Sequence, residues 1–243
     1  MKPPAARARF RRPPVPTIAC INKATVDLGV DFNRLIVALQ TFVDRHFAPV
    51  WGTQAKLVRS REFIDGAWAM VFLDDPDAAG LEGYHELTRH RLPLSKVFVK
   101  TTLKDGEKVS VTASHELAEM LVDPAGNLWA EGPHGRLYGY EMADAVEEAH
   151  FKIDGILMSD FVYPAFFEVF RKPHSARFDH CRKVTRPLQL LKGGYHLVRK
   201  GGVVKEVFGS LSKARRFALE DRRQHRSTYR RRGRPPMTPS TAR

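Results

Sequence analysis

The segment Ser114-His115-Glu116-Leu117-Ala118-Glu119-Met120-Leu121-Val122-Asp123-Pro124 constrains this 243-residue chain more than any other. Leu117, Met120, Leu121 and Val122 make it apolar, and Pro124 marks a stop, so the pattern predicts a helix from near Ala113 that ends before Pro124. Ser114 or Thr112 is placed to cap its start. Residues four apart on a helix share a face. His115 and Glu119 therefore point an imidazole and a carboxylate the same way. Glu116 lies one step round, within reach of a water held by the same ion. Acids on an apolar helix are costly to bury unless something neutralises them, and a divalent cation is the simplest partner for this trio.

HELAE resembles the HExxH signature of the zincin metallopeptidases, with Glu119 where the second histidine usually stands. The resemblance implies that His115 and Glu119 are metal ligands and that Glu116 is the general base. A third ligand is needed. Glu141, 22 residues after Glu119, stands at a separation comparable to that in the glutamate-class zincins. By the same resemblance Asp144 accepts a hydrogen bond from His115 and braces it. Asp123 and His134 are the alternatives to Glu141. The order of strand, long backing helix, further strands and motif helix is similar to that of zincin N-terminal subdomains over residues 17–145. The SHExxE…DP pattern also resembles uncharacterised bacterial and phage-type proteins. The ion implied is Zn²⁺. Two carboxylates and one imidazole make a formally neutral site and a weaker Lewis acid than a three-histidine site, so Mn²⁺ or Fe²⁺ is the alternative. Candidate donors to a developing oxyanion are Tyr138, Tyr140, His150 and Tyr163.

The rest of the chain supplies the elements around this helix. Thr17–Asn22 reads as a buried strand. Leu35, Ile36, Leu39, Phe42, Val43 and Phe47 recur at three- and four-residue spacing, which makes Asp31 to Trp51 an amphipathic helix with Pro49 near its end. Ala55–Val58, Ala67–Leu73 and Lys96–Thr102 read as strands, the last as an edge able to pair with an extended peptide. Asp74–Gly80 and Gly83–Pro93 read as loops, which makes His85 and His90 surface histidines. Lys108–Thr112 alternates like a strand. Ser159 to Phe170 reads as a helix interrupted by Pro164, and Met120, Met158 and the phenylalanines of 161–167 as core. Leu188–Leu191 and Tyr195–Arg199 flank a Gly-Gly turn, and Val203–Phe208 follows Gly201-Gly202, the marks of a small β-hairpin. The expected fold is α+β: a zincin-like mixed sheet with a backing helix and an active-site helix, plus a C-terminal β-hairpin and a basic tail. The expected organisation is a disordered basic arm at 1–16, a metal-binding domain at 17–185, a hairpin appendage at 186–210 and a basic tail at 211–243, with a basic helix beginning at Ser210–Ala218.

The net charge of +13 is concentrated at the ends. Residues 1–15 carry Lys2, Arg7, Arg9, Arg11 and Arg12 and no acid. Residues 211–243 carry eleven Lys/Arg against Glu220 and Asp221. The body between them is close to neutral, which argues against a nucleic-acid-binding core but leaves the tail able to contact phosphates without sequence preference. Cys20 and Cys181 form no CxxC pair, so a disulfide framework or cysteine zinc site is not expected. No apolar run approaches the length of a membrane span, and the apolar run behind the basic start is too short for a signal peptide. Together these point to a cytoplasmic metallopeptidase that hydrolyses peptide bonds of a peptide or protein substrate. The competing reading is a catalytically degenerate metal-binding protein whose basic tails bind nucleic acid.

Overall fold

In the computed structural model residues 14–77 and 82–212 are described. Most of the basic arm, residues 78–81 and the basic tail from 213 onward lie outside them, as do most of the helix expected at Ser210–Ala218. The chain is α+β with a mixed sheet. Strand β1 (Thr17–Asn22) leads through a helical stretch to β2 (Lys56–Ser60), β3 (Trp68–Leu73), β4 (Gly83–Leu87) and β5 (Pro93–Phe98). The sheet order is β2-β1-β3-β5-β4, parallel except for β4, which pairs antiparallel with β5 at one edge. The edge strand beside β5 is thus β4. The stretch expected there, Lys96–Thr102, instead ends the internal strand β5 and turns into helix α3 (Val99–Lys104) at Val99.

The expected backing helix is one helical run in three parts: α1 (Phe32–Thr41), a π segment (Phe42–Phe47) and α2 (Ala48–Trp51). Asp31 caps it, its Oδ1 accepting from Arg34 N at 2.9 Å. The π segment precedes Pro49, which has no amide hydrogen for an α-helical ladder. Gln40 ties α1 to β2: its Nε2 donates to Ala55 O and its Oε1 accepts from Leu57 N. The motif helix α4 spans Val109–Val122, almost wholly buried. Its first turn absorbs the stretch Lys108–Thr112 expected as a strand; four of those residues are β-branched or small and satisfy either period. Ser114 is therefore mid-helix rather than a cap. Its hydroxyl donates back to Ser110 O at 2.9 Å and accepts from Ser159 N at 2.8 Å, which anchors α4 to the next β-hairpin.

Helices α1 and α4 cover the same face of the sheet. Ile18, Cys20, Met70, Phe72 and Val97 from the strands meet Leu35, Leu39, Phe42, Leu117 and Met120 in the main core. Ala19, Ile21, Ala69, Val71 and Leu94 form a smaller cluster on the other face. Strand β4 alternates between the two. Tyr84 and Glu86 face the smaller side, where the buried Lys96 Nζ meets Tyr84 Oη at 2.6 Å, Asp77 Oδ2 at 2.7 Å and Glu86 Oε1 at 3.2 Å. His85 faces α4.

After α4 come β6 (Trp129–Glu131), β7 (Leu137–Gly139), and the hairpin β8 (His150–Ile153) with β9 (Ile156–Ser159). Ser159 to Phe170 is not a helix: Ser159 closes β9, and only a single 3₁₀ turn, Pro164–Phe167, follows. The hairpin β10 (Tyr195–Lys200) and β11 (Val203–Phe208) forms where the glycine turns place it, while Leu188–Leu191 forms no strand. β10 pairs with β7, so the second sheet runs β11-β10-β7-β6. Leu191 N donates to Ala145 O at 3.1 Å, and a Cβ on Gly194 would lie 2.3 Å from that carbonyl. The hairpin entry thus presses on the turn that carries Asp144. No helix among the described residues is long and apolar enough to cross a membrane.

A pair of buried acids organises the loops beyond β9. Asp160 Oδ1 accepts from Phe161 N and Cys181 N, and Asp179 accepts from Lys183 N and Val184 N. Burial, then the adjacent Asp179, pushes the Asp160 carboxyl up to about 8. A carboxyl raised above its unfolded value of 3.8 stabilises the fold at acid pH, and that contribution is lost as pH rises through about 8. Urea midpoints at pH 5 and pH 8.5 are expected to fall more for the native chain than for Asp160→Asn, which keeps an acceptor for the two amides and a donor toward Asp179. An equal fall in both would exclude the pair as the source.

Candidate metal centre

Three elements bring the candidate residues together. The α4 helix supplies His115, Glu116 and Glu119. The turn after β7 supplies Glu141 and Asp144, all but buried. Strand β4 supplies His85, whose side chain is only 6% exposed. His85 is therefore not the surface loop histidine expected from the sequence. The segment Gly83–Leu87 pairs with β5 through the Thr88–Leu92 turn, with Arg91 at φ 61° and Thr88 N bonded to Leu92 O. A signal existed in the alternation of Tyr84, His85, Glu86 and Leu87, but two polar residues in five hid it.

His115 Nε2 lies 3.1 Å from Glu119 Oε1 and 3.1 Å from Asp144 Oδ1. The contact between His115 and Asp144 anticipated by resemblance is thus present, and it is made by the same nitrogen that faces Glu119. His85 Nδ1 lies 3.6 Å from Glu116 Oε2 and 3.8 Å from Glu119 Oε2. His85 Nε2 is 2.9 Å from the carbonyl of Asp123. A carbonyl only accepts, so Nε2 carries hydrogen and Nδ1 is the nitrogen turned toward the acids. Potential ligand atoms form two triads, each within 4.8 Å of one another: His115, Glu116 and Glu119, and His85, Glu119 and Glu141. Glu119 belongs to both.

The electrostatics follow from this crowding. Burial lowers the basicity of His85, but the hydrogen bond with Glu116 and the charges of Glu141 and Glu119 outweigh it and lift the imidazole to about 9. For His115, burial is likewise outweighed, by Glu119 and Asp144, and the imidazole rises well above its usual range. Burial pushes Glu119 up to about 7, with Asp144 adding to the shift and His115 opposing it. Glu119 is wholly buried, and neither of its oxygens accepts a hydrogen bond among the described residues. A buried carboxylate without donors is costly. A dication between it and the facing imidazoles removes that cost, so the donor set fits a metal.

The other expected residues are engaged elsewhere. Asp123, the alternative ligand, uses both oxygens on the amides of Asn127 and Leu128 at 2.9 and 2.8 Å, and reaches the cluster through its own carbonyl. His134 is exposed at a left-handed φ of 60°, and is not a member of either triad. Tyr140 stacks on Phe167 at 4.4 Å, Tyr163 Oη bonds His180 Nδ1 at 3.1 Å, Tyr138 meets the edge of His196, and His150 Nε2 lies 3.8 Å from Glu107.

Gly83 sets how closely β4 approaches α4. A Cβ there would meet Glu116 Cγ at 2.8 Å and the Lys96 carbonyl at 2.9 Å. Gly83→Ala is expected to destabilise the fold by about 1–3 kcal/mol through overpacking, read as a lower denaturation midpoint. An unchanged midpoint would show that strand and helix separate freely.

Comparison of the chain with protein-family models, with curated proteins and with solved structures finds no match.

Proposed function

We propose that this cluster is the divalent-metal centre of a zincin-like hydrolase acting on peptide bonds. The observation that carries the reading is Glu119: a carboxylate buried without a hydrogen bond, with one imidazole 3.1 Å from one oxygen and another 3.8 Å from the second. A proton on His115 Nε2 serves one neighbouring acid at a time, whereas a cation serves both. His115 and Glu119 would hold the ion with Asp144, which meets the same His115 nitrogen and so joins the set rather than orienting the ring; Glu141, the third ligand expected, groups with His85 and Glu119 and not with His115. The likeness of HELAE to HExxH, and the order of strand, backing helix, strands and motif helix, support the same reading.

When bound, the ion supplies Lewis acidity, acidifying a water and polarising a carbonyl. Zn²⁺ is the first choice; the excess of carboxylate oxygens also suits Mn²⁺ or Fe²⁺. The residues of the chain supply the rest. Glu116 shares a triad with His115 and Glu119, so it is placed to take a proton from that water and pass it to the leaving amine. His85 holds Glu116 from the β4 side. His115, with 11% of its side chain exposed, is the most open of the α4 trio and marks the side from which a substrate carbonyl approaches. Both cysteines are free, in keeping with a cytoplasmic protein. The binding of nucleic acid by a basic tail would rest on residues beyond 212 and leaves this reading of the centre unchanged.

The test is cleavage of a mixed peptide library by the full-length chain. Cleavage is expected with Zn²⁺ or Mn²⁺, lost on chelation and restored by the ion. Absence of cleavage in the Zn²⁺, Mn²⁺ and Fe²⁺ forms alike would contradict the assignment.

A further inference from the structure

We propose that the centre takes two divalent cations rather than one, bridged by the carboxylate of Glu119, with His85 and Glu141 holding the second. This extends the reading above and depends on it. The geometry supports it in three ways. First, the donors do not form a single group. They fall into two triads that share only Glu119. The two Glu119 oxygens face different imidazoles, Oε1 toward His115 Nε2 and Oε2 toward His85 Nδ1. A carboxylate that offers one oxygen to each side is the arrangement that holds two ions about 3.5–4 Å apart.

Second, His85 is oriented as a ligand is. Its Nε2–H is committed to the Asp123 carbonyl at the end of α4, which leaves Nδ1 directed at Glu116 and Glu119. Metal-ligating histidines usually donate their other ring N–H to a carbonyl or carboxylate, which fixes the ring.

Third, the acids outnumber the imidazoles. Glu116, Glu119, Glu141 and Asp144 are all buried beside only His85 and His115, and acids left without a counter-charge in the interior are costly. In this arrangement Asp144 and His115 lie on the first ion, His85 and Glu141 on the second, and Glu116 stays beside both as the base. Two ions then act as a clamp on the attacking water and the substrate oxygen. The second site draws on β4 and on the turn after β7, and its sequence signal is only His85 in GYHEL and Glu141 in YEMAD, too far apart to be seen as a unit.

The test is metal stoichiometry of the full-length chain dialysed against Mn²⁺ alone, with the electron paramagnetic resonance spectrum of the same sample. Two Mn²⁺ per chain with an exchange-coupled spectrum are expected. His85→Ala and Glu141→Gln, which act on different elements, should each leave one ion and an uncoupled six-line spectrum, and Glu119→Ala should leave none. One ion per chain in the native protein would overturn the second site while leaving the single-metal hydrolase standing. Two ions that survive both His85→Ala and Glu141→Gln would also overturn it. No bound metal at all would overturn the pair together with the hydrolase reading.

Discussion

Glu119→Gln is expected to abolish the stabilisation that Zn²⁺ or Mn²⁺ gives the fold. A ligand present at a thousand times its dissociation constant stabilises by about 4 kcal/mol, which in a chain of this size is a rise of roughly 10 °C in the melting midpoint. The native protein should show that rise on metal addition and lose it on chelation. The variant should melt at one temperature under both conditions. In metal-free buffer the substitution should cost far less than in the loaded protein, because loss of the contact with His115 is offset by removing a charge from a position with no exposure. A residue that costs little without the ion and decides everything with it is a ligand. If Glu119→Gln lowered the metal-free midpoint by as much as it lowered the loaded one, Glu119 would be an ordinary structural acid paired with His115.

Glu116→Gln is expected to lower peptide hydrolysis by about 10²–10⁴-fold, the range for loss of a general base, while the ion stays bound. The amide keeps the volume packed against Gly83 and can no longer take a proton. The loss should fall on kcat, with KM little changed, because the side chain acts on the water and not on the bound peptide. Retained turnover would remove Glu116 from the chemistry. Loss of metal along with turnover would make it a ligand only.

The α4 helix and the adjacent acids were legible because their chemistry sits in short windows. His115, Glu116 and Glu119 lie within five residues, and an apolar helix with acids on it asks for a counter-charge. Glu141 and Asp144 were reached only through resemblance, and the turn that carries them is fixed from far away, by Leu191 and Gly194 at the entry to the β10 hairpin. His85 was not legible. Its strand is five residues long, holds two polar residues, and earns its place from pairing with β5 on one side and from contact with α4 on the other. The Lys108–Thr112 stretch shows the opposite failure: alternation suggested a strand, but Val109 and Val111 both serve the buried helix. For Ser159–Phe170 the apolar content was read correctly as core, while Pro164 and the pairing of Ser159 with His150 displaced the helix. The backing helix was visible in full because its apolar spacing persists across the π segment.

The proposed hydrolase requires a metal ion seated among His115, Glu119 and their neighbours. A crystal of the full-length chain grown with Zn²⁺, with diffraction recorded above and below the zinc absorption edge, answers this directly. An anomalous peak about 2.0–2.2 Å from His115 Nε2 and from a Glu119 oxygen is expected. A map with no such peak, with His115 and His85 instead closing as hydrogen-bonded ion pairs on Asp144 and Glu116, would contradict both the metal centre and the hydrolysis built on it.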